Sequence, residues 1–451
     1  MTKKHLLLVC CLWLGCLSLA ALAQDQLFPT SLSHFRFNFL QPGARAAAMG
    51  GAFIAQGNDA TGSETNPAGL LFIPKPILFA EYRYFEYTAN RAYSSNATDV
   101  LYQDFTSSTH SPVFLSYVHP WKEWAFAVYR QELANFTVDF ANDDFYVPDT
   151  LGTDHFTWFV NRTGINLDFK LVNYGFSIAR RLHETFAVGA SVRLAQMSFE
   201  AHENANLDPE RDRPPQFPDL LVYTEAADQI GHYLQMNDDD WKVSFVIGAQ
   251  YKPNDIISIG GVYRYGETHK LDAVFYDNLV LPGVPSLRTE YPGFEINVPD
   301  RAGAAVSITP NANLTFLFDF VRVFYSDLND QFLTVLAPEI RDYFGWEDGN
   351  EYRVGAEYLI PVGRSSSIAL RAGYYPAPDP SIHYLGGVEN DPNPVIQRYY
   401  LAFPITYPEV GWDHHVTFGA GFVFGGKFQL DVAGDLGRDK DYFALSGMYY
   451  F

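Results

Sequence analysis

The chain has 451 residues, a formal net charge of −21, an aromatic content of 16% and three cysteines. Nucleic-acid phosphates are bound through basic patches, so a charge this negative excludes a nucleic-acid partner. A soluble acidic domain would share the charge but not the aromatic fraction. Beyond the first two dozen residues no apolar run approaches the roughly 20 residues of a transmembrane helix.

The chain begins "MTKKHLLLVCCLWLGCLSLAALAQ". Lys3 and Lys4 precede an apolar run over 6–22, and Ala21-Leu22-Ala23 is a small-x-small site, so residues 1–23 read as a secretory signal peptide. A lipoprotein anchored at Cys16 is the alternative, but Trp13 and Leu14 suit that signal poorly and the apolar run continues past the cysteine. Removing residues 1–23 takes away two lysines and no acid, which moves the net charge from −21 to −23. It also takes Cys10, Cys11 and Cys16, leaving no thiol for a disulfide, a metal or nucleophilic chemistry.

Residues 24–75 follow. Their core, "GARAAAMGGAFIAQGNDATGSETNPAGL", is rich in Gly and Ala and mildly apolar. Pro67 fixes its own φ and pushes Asn66 to an extended conformation, and Gly69 supplies freedom immediately afterwards. The expectation is a plug folded into a lumen, with a bend at Asn66, Pro67, Ala68 and Gly69. A periplasmic tail, the other reading, has no use for Met49, Phe53, Ile54 and Leu70.

From residue 76 to 451 the apolar residues alternate. "VTFGAGFVF" puts Val416, Phe418, Ala420, Phe422 and Phe424 on one face, and "WKVSFVIGAQY" does the same for Trp241, Val243, Phe245 and Ile247. Period two means strands with one apolar face. Fourteen segments carry it, near 77–87, 112–120, 124–133, 167–180, 186–199, 241–252, 256–270, 294–308, 313–325, 351–360, 367–375, 414–424, 427–435 and 441–451. Short connections such as "PWKE", "KPND" and "GG" alternate with long ones near 88–111, 134–166, 200–240, 271–293, 326–350 and 376–413. That rhythm predicts an all-β fold, a transmembrane antiparallel β-barrel of about 14 strands in a bacterial outer membrane, in contact with its lipid. A soluble β-sandwich shares the alternation but has no need of the rhythm.

Opposite the apolar face lie small residues, among them Gly189, Gly248, Gly260, Gly303, Gly355, Gly373 and Gly419, and charges including Glu81, Arg83, Arg301, Asp319, Glu357 and Asp431. A barrel this wide needs a filling or it leaks. Arg193, Arg264, Arg353 and Arg371 are candidates to meet a ligand carboxylate in the lumen, or else to pair with acids of the wall or plug. In the loop 200–240, Leu220, Leu221, Tyr223, Ile230, Tyr233 and Leu234 have the spacing of one side of a short helix. They would form an apolar capture groove or simply pack the loop. The acidic run "NDDDW" at 237–241 suits a divalent ion or a solvated loop. His414 and His415 are adjacent on a strand and point to opposite faces. No Gly-x-Ser-x-Gly elbow and no His-Glu-x-x-His occurs, so no catalytic site, no metal and no cofactor is expected.

Several stretches together resemble the FadL/TodX-type outer-membrane transporters of long-chain fatty acids and other hydrophobic compounds. They are the segment ending in Asn66-Pro67-Ala68, "YKPNDIISIGGVYRYGE", "EYRVGAEYLI" with "SIALRAGYYPAPDP", and "HHVTFGAGFVF" onward to Phe451. The resemblance implies a fourteen-stranded monomeric barrel, a lumenal hatch and ligand capture among the extracellular loops. It further implies a side opening near the third strand and passive passage of a hydrophobic small molecule. The third strand, "WAFAVYRQEL", has no Gly or Pro to mark a kink. PorV-like barrels share the hatch signature and act as adaptors in protein secretion, which is the alternative function.

Overall fold

The computed structural model describes residues 37, 39, 41–95, 100–141, 145–148, 157–160, 162–206, 230–277, 287–332, 341–392, 403–404, 407 and 411–451. The signal-peptide expectation, residues 1–23, lies outside them. No described helix is long and apolar enough to cross a membrane. The crossing is made by strands.

Fourteen antiparallel strands form the wall: β1 (Ile77–Ser95), β2 (Val100–Trp121), β3 (Trp124–Ala141), β4 (Arg162–His183), β5 (Phe186–Asn206), β6 (Ile230–Tyr251), β7 (Ile257–Tyr265 with Thr268–Asp277), β8 (Leu287–Asn297 with Arg301–Asn311), β9 (Leu314–Val323), β10 (Gly349–Val362), β11 (Ser366–Ala377), β12 (Asp413–Phe424), β13 (Phe428–Leu436) and β14 (Lys440–Tyr450). Each pairs with its sequence neighbours, and β1 pairs with β14 from Ile77↔Tyr450 to Tyr87↔Lys440, closing the barrel. Closure gives every strand a neighbour on both sides, as a sheet in lipid requires, with the ladder interrupted locally between β2 and β3 and between β6 and β7. The short connections are tight turns: in the three-residue connection between β12 and β13, Gly425 and Gly426 both take positive φ, 57° and 65°, which glycine adopts without steric cost.

The outward face is apolar through the span, with Val128, Phe176, Val192, Val243, Phe316, Leu370, Val416 and Phe443 all exposed. So large a continuous apolar surface belongs against lipid. Two expectations are refined. The segments 256–270 and 294–308 are not single ladders: β7 breaks at 266–267 and β8 at 298–300. The strands also run well into the connections that alternation assigned to loops. Residues 88–95 and 100–106 are paired, as are 134–141 with 164–171.

The reason for the second difference is chemical. Low on β5, Val192 and Leu194 point outward and Ser191 and Arg193 inward; higher up, Met197, Phe199 and Ala201 are buried inside while Ser198, Glu200 and His202 face out. On β3 a bulge between Glu132 and Ala134 turns the chain over. Even-numbered apolar residues therefore point out below it (Phe126, Val128) and in above it (Phe136, Val138, Phe140). A one-residue bulge exchanges the two faces of a strand. An apolar-outside pattern stops at that level although the strand does not.

Candidate functional site

Residues 41–73 lie inside the barrel. A single helical turn, Ala44–Ala47, is followed by Gly50 and Gly51 at φ 66° and 73°, a reversal that side chains on L residues resist. A second turn, Gly62–Thr65, leads into the 3-10 turn Pro67–Phe72. Asn66 sits between them at φ −160°, ψ 100°, the extended conformation that Pro67 imposes on it. Its side chain holds the bend together. Oδ1 accepts from Ala68 N at 3.2 Å, and Nδ2 donates to Ile54 O at 2.9 Å and to the wall carbonyl of Ala249 at 3.2 Å. Gly69 serves close approach, since a Cβ there would strike Gly57.

The wall is built to receive this segment. A Cβ at Gly189 or Gly248 would collide with Asn66, Pro67 and Ala68, one at Gly373 with Met49 and Gly50, and one at Gly355 with Met49. Backbone is met by side chains on several strands. Phe53 N and Ile54 N donate to Asp319 Oδ2 at 2.8 and 2.9 Å, Gly43 N to Glu81 Oε2 at 2.6 Å, and Gly50 N to Thr417 Oγ1 at 2.8 Å. Gln250 and Ser258 both donate to Ala55 O, and Ser177 to Ser63 O. Buried donors and acceptors without such partners would each cost about 1–3 kcal/mol.

Three charged residues, Arg45, Asp59 and Glu64, belong to the segment, and each meets charge. Arg45 donates to both oxygens of Glu357 at 3.0 and 2.8 Å, and Glu357 in turn accepts from Arg371, which also reaches Asp431 at 2.8 Å. Asp59 lies 3.7 Å from Arg45; burial pushes its carboxyl up, against the pull of that guanidinium. Glu64 faces Arg264 at 3.3 Å, Arg193 at 3.6 Å and Arg301 at 3.9 Å, and accepts from Tyr129 Oη at 3.1 Å.

The four arginines singled out from sequence therefore divide. Arg193 and Arg264 converge on Glu64, and Arg264 Nη2 also holds Thr65 O at 2.6 Å. Arg371 belongs to the Glu357–Asp431 chain. Arg353 donates to Glu351 at 3.0 and 2.6 Å and lies over the Tyr375 ring. It also lines a small cleft, partly open to solvent, with Phe39, Arg83, Tyr325, Tyr375 and Tyr442. Sequence reasoning missed Arg45 and Glu64. The signal was available: they are charges in a Gly/Ala-rich segment read as a plug.

Of the capture-loop residues, Leu220, Leu221 and Tyr223 lie outside the described residues. Ile230, Tyr233 and Leu234 are not helical. They continue β6, paired with Asn206, Asn204 and Glu203. The spacing that suggested a helix coincides with a strand that extends above the membrane. The run 237–241 is likewise strand. Between Met236↔Ala273 and Phe245↔Tyr265 the β6–β7 ladder is interrupted, and Asp238 and Asp240 accept from Asp272 N and Lys270 N at 2.9 and 2.8 Å. Their carboxylates replace missing backbone acceptors, and Lys242 pairs with Asp240. No metal-binding group of three acids or histidines occurs among the described residues. His415 points in, toward Asp435, and His414 out, toward Tyr374.

Above the segment the interior is apolar. Phe136, Val138, Phe140, Leu167, Phe169 and Phe199 come from the inner faces of β3, β4 and β5, and Phe37 packs edge-on against Phe169 at 5.4 Å. At the lower margin of this region the wall is broken. β2 and β3 pair only from Phe114↔Gln131 to Trp121↔Trp124, while above that point β2 continues against β1 and β3 against β4. The break lies level with the outward tyrosines Tyr82 and Tyr84. Side chains bridge it: Ser111 donates to Glu132, and Arg130 to Pro112 O at 2.6 Å.

The sequence profile of the outer membrane protein transport protein family (OMPP1/FadL/TodX) matches residues 35–382. No curated protein matches the chain. Solved structures share the fold over nearly its full length. A Pseudomonas aeruginosa FadL homologue is 14% identical with a TM-score of 0.64, covering 92% of this chain and 100% of that one. The P. putida toluene transporter TodX is 15% identical at 0.62, covering 92% and 99%. The Ralstonia pickettii toluene transporter TbuX is 16% identical at 0.56, covering 92% and 100%. Barrel, outer-membrane location and profile agree, and the chain belongs to the OMPP1/FadL/TodX family of outer-membrane transport proteins.

Proposed function

We propose that this protein takes up long-chain fatty acids or other hydrophobic compounds by passive diffusion, with residues 24–75 acting as a hatch. The observation that carries the reading is the apolar interior of β3, β4 and β5 ending at the β2–β3 break. A hydrophobic compound leaves water for that interior at a gain of about 25 cal/mol per Å² of apolar surface buried. It then meets a hydrogen-bonded segment that blocks the straight path down the lumen, and a wall opening that leads sideways into lipid. The Ser111–Glu132 and Arg130–Pro112 bridges are side-chain contacts, which part without undoing a β-ladder. In this reading Arg353, beside the aromatic cleft, steers an acidic head group, and Arg371 with Arg45 and Glu357 fastens the hatch. The Asn66–Pro67 bend is its hinge.

The test is uptake of labelled oleate and labelled toluene by a bacterial host lacking its own fatty-acid transporter, with and without this barrel. Uptake of either above the empty host is expected. Folded barrel with neither taken up would reject transport of these compounds, and co-purification of a secreted protein would then point to the adaptor role.

A further inference from the structure

Charge is divided unequally between the two ends of the barrel. The whole chain carries −21, yet the short-turn end, which faces the periplasm in barrels of this kind, is basic. Its hairpin turns carry Lys122, Arg180, Arg181, Lys252, Arg364 and Lys427 against Glu123, Glu184 and Asp255, and Lys75 precedes β1 at the same end. Two of these bases are neutralised, Arg181 by Glu123 at 3.5 Å and Lys252 by Asp255 at 3.7 Å. The other five have no carboxylate partner among the described residues. Lys122 lies over the Trp121 ring at 5.6 Å and Arg180 over Trp124 at 4.9 Å, while Lys75, Arg364 and Lys427 stand exposed. Toward the opposite end Lys170, Lys242, Arg322 and Arg438 each meet an acid within 3.4 Å.

The apolar belt runs right up to these turns. Trp121, Phe186, Tyr251, Val362, Phe424 and Phe428, the outward residues next to them, are all exposed. The bases therefore stand at the height where acyl chains give way to head groups. Long cationic side chains reach that layer while their stems stay on apolar surface. A protein arriving from the periplasm would meet the turns end-on, whereas Lys122 and Arg180 lie against Trp121 and Trp124, beside the bilayer. We propose that this rim is a docking surface for anionic phospholipid of the periplasmic leaflet. Lys75, Arg364 and Lys427 hold head groups along one arc, on the adjacent ends of β10 to β14 and β1, and Lys122 and Arg180 hold them along another. A guanidinium grips a phosphodiester through paired hydrogen bonds, and bases that no carboxylate neutralises draw lipid of net negative charge. Elsewhere the acidic chain repels an anionic leaflet, so these five residues also fix the depth at which the barrel sits.

The experiment places the full barrel in phosphatidylcholine bilayers and compares brominated phosphatidylglycerol with brominated phosphatidylcholine as quenchers of tryptophan fluorescence. Trp121 and Trp124 lie beside the rim bases and report on it. The wild type is expected to prefer phosphatidylglycerol about fivefold at low salt. The preference should fall toward equality in 1 M salt, where the Debye length is about 3 Å. Replacing all five bases (Lys75→Gln, Lys122→Gln, Arg180→Gln, Arg364→Gln and Lys427→Gln) should abolish it while the barrel keeps its heat-modified gel mobility. Arg364→Gln/Lys427→Gln, confined to two turns, tests the same surface with less risk to folding and should reduce it in part. Lys270→Gln/Arg322→Gln, toward the other end, should leave it unchanged. Equal association of the two lipids with the wild type would overturn the proposal, and so would a preference that survives the loss of all five bases. Equal association together with retention on immobilised polyglutamate, lost in the fivefold variant, would also overturn it and give the rim to an acidic protein.

Discussion

The lower and upper halves of this barrel have opposite insides. Below the β3 bulge the outer face is apolar and the inner face is glycine and charge, packed against residues 41–73. Above it the outer face is polar and the inner face is phenylalanine, leucine and methionine. The backbone hardly changes, since β4 and β5 stay paired from Arg162↔Asn206 to His183↔Phe186. The surroundings set the difference. Lipid demands apolar residues outside in the lower half, and once the strands rise above it the hydrophobic effect is free to act inside instead. One architecture thus carries a polar, filled lower lumen and an apolar upper interior in series, and the wall break at Phe114↔Gln131 falls between them.

The largest effect is expected from destroying the fit of the lower half. Gly373→Leu puts a side chain where Gly50 and Met49 pack and should expel the segment, raising single-channel conductance in planar bilayers at least a hundredfold. Arg45→Ala leaves Glu357 without that buried partner. Loss of one partner of a buried pair costs about 3–5 kcal/mol, so labelling of Ala60→Cys should accelerate roughly a hundredfold, while the barrel keeps its heat-modified gel mobility. The upper half is probed by Phe169→Asp, which places a charge in the apolar interior and should cut oleate uptake about tenfold. Asn166→Asp, on the outer face of the same strand, should leave uptake within twofold. The smallest effect concerns the β6–β7 seam. Asp240→Asn weakens one acceptor for Lys270 N, worth about 1 kcal/mol, and should raise amide exchange there about fivefold without altering uptake.

Much of this contrast was legible in the sequence. The outward apolar sets, the glycine-rich inner wall and the strand number follow from period-two alternation and loop rhythm, because lipid enforces both. Gly189, Gly248 and Gly373 could be assigned to the lumen on parity alone. The upper half was not legible for the same reason. Its apolar residues change face, on β3 through a bulge at Glu132–Ala134 that no Gly or Pro announces, so the strands looked like loops. Ile230, Tyr233 and Leu234 were misread as helix on that account. The β7 break is partly visible in hindsight: Gly266 has no room for a side chain against Val298. Charge pairing across the lumen was beyond reach, since Arg45 and Glu357 lie 312 residues apart and only the closed barrel brings them together.

The central claim is that compounds cross from the apolar upper interior to lipid through the β2–β3 break. It is tested most directly by joining that break. All three cysteines lie within the first 16 residues, so Ser111→Cys/Glu132→Cys offers one engineered disulfide between side chains now in contact. Labelled oleate uptake would be measured with the pair oxidised and again after reduction. The account predicts uptake at the empty-host level when oxidised and recovery on reduction. Equal uptake in both states, with the disulfide verified, would contradict it.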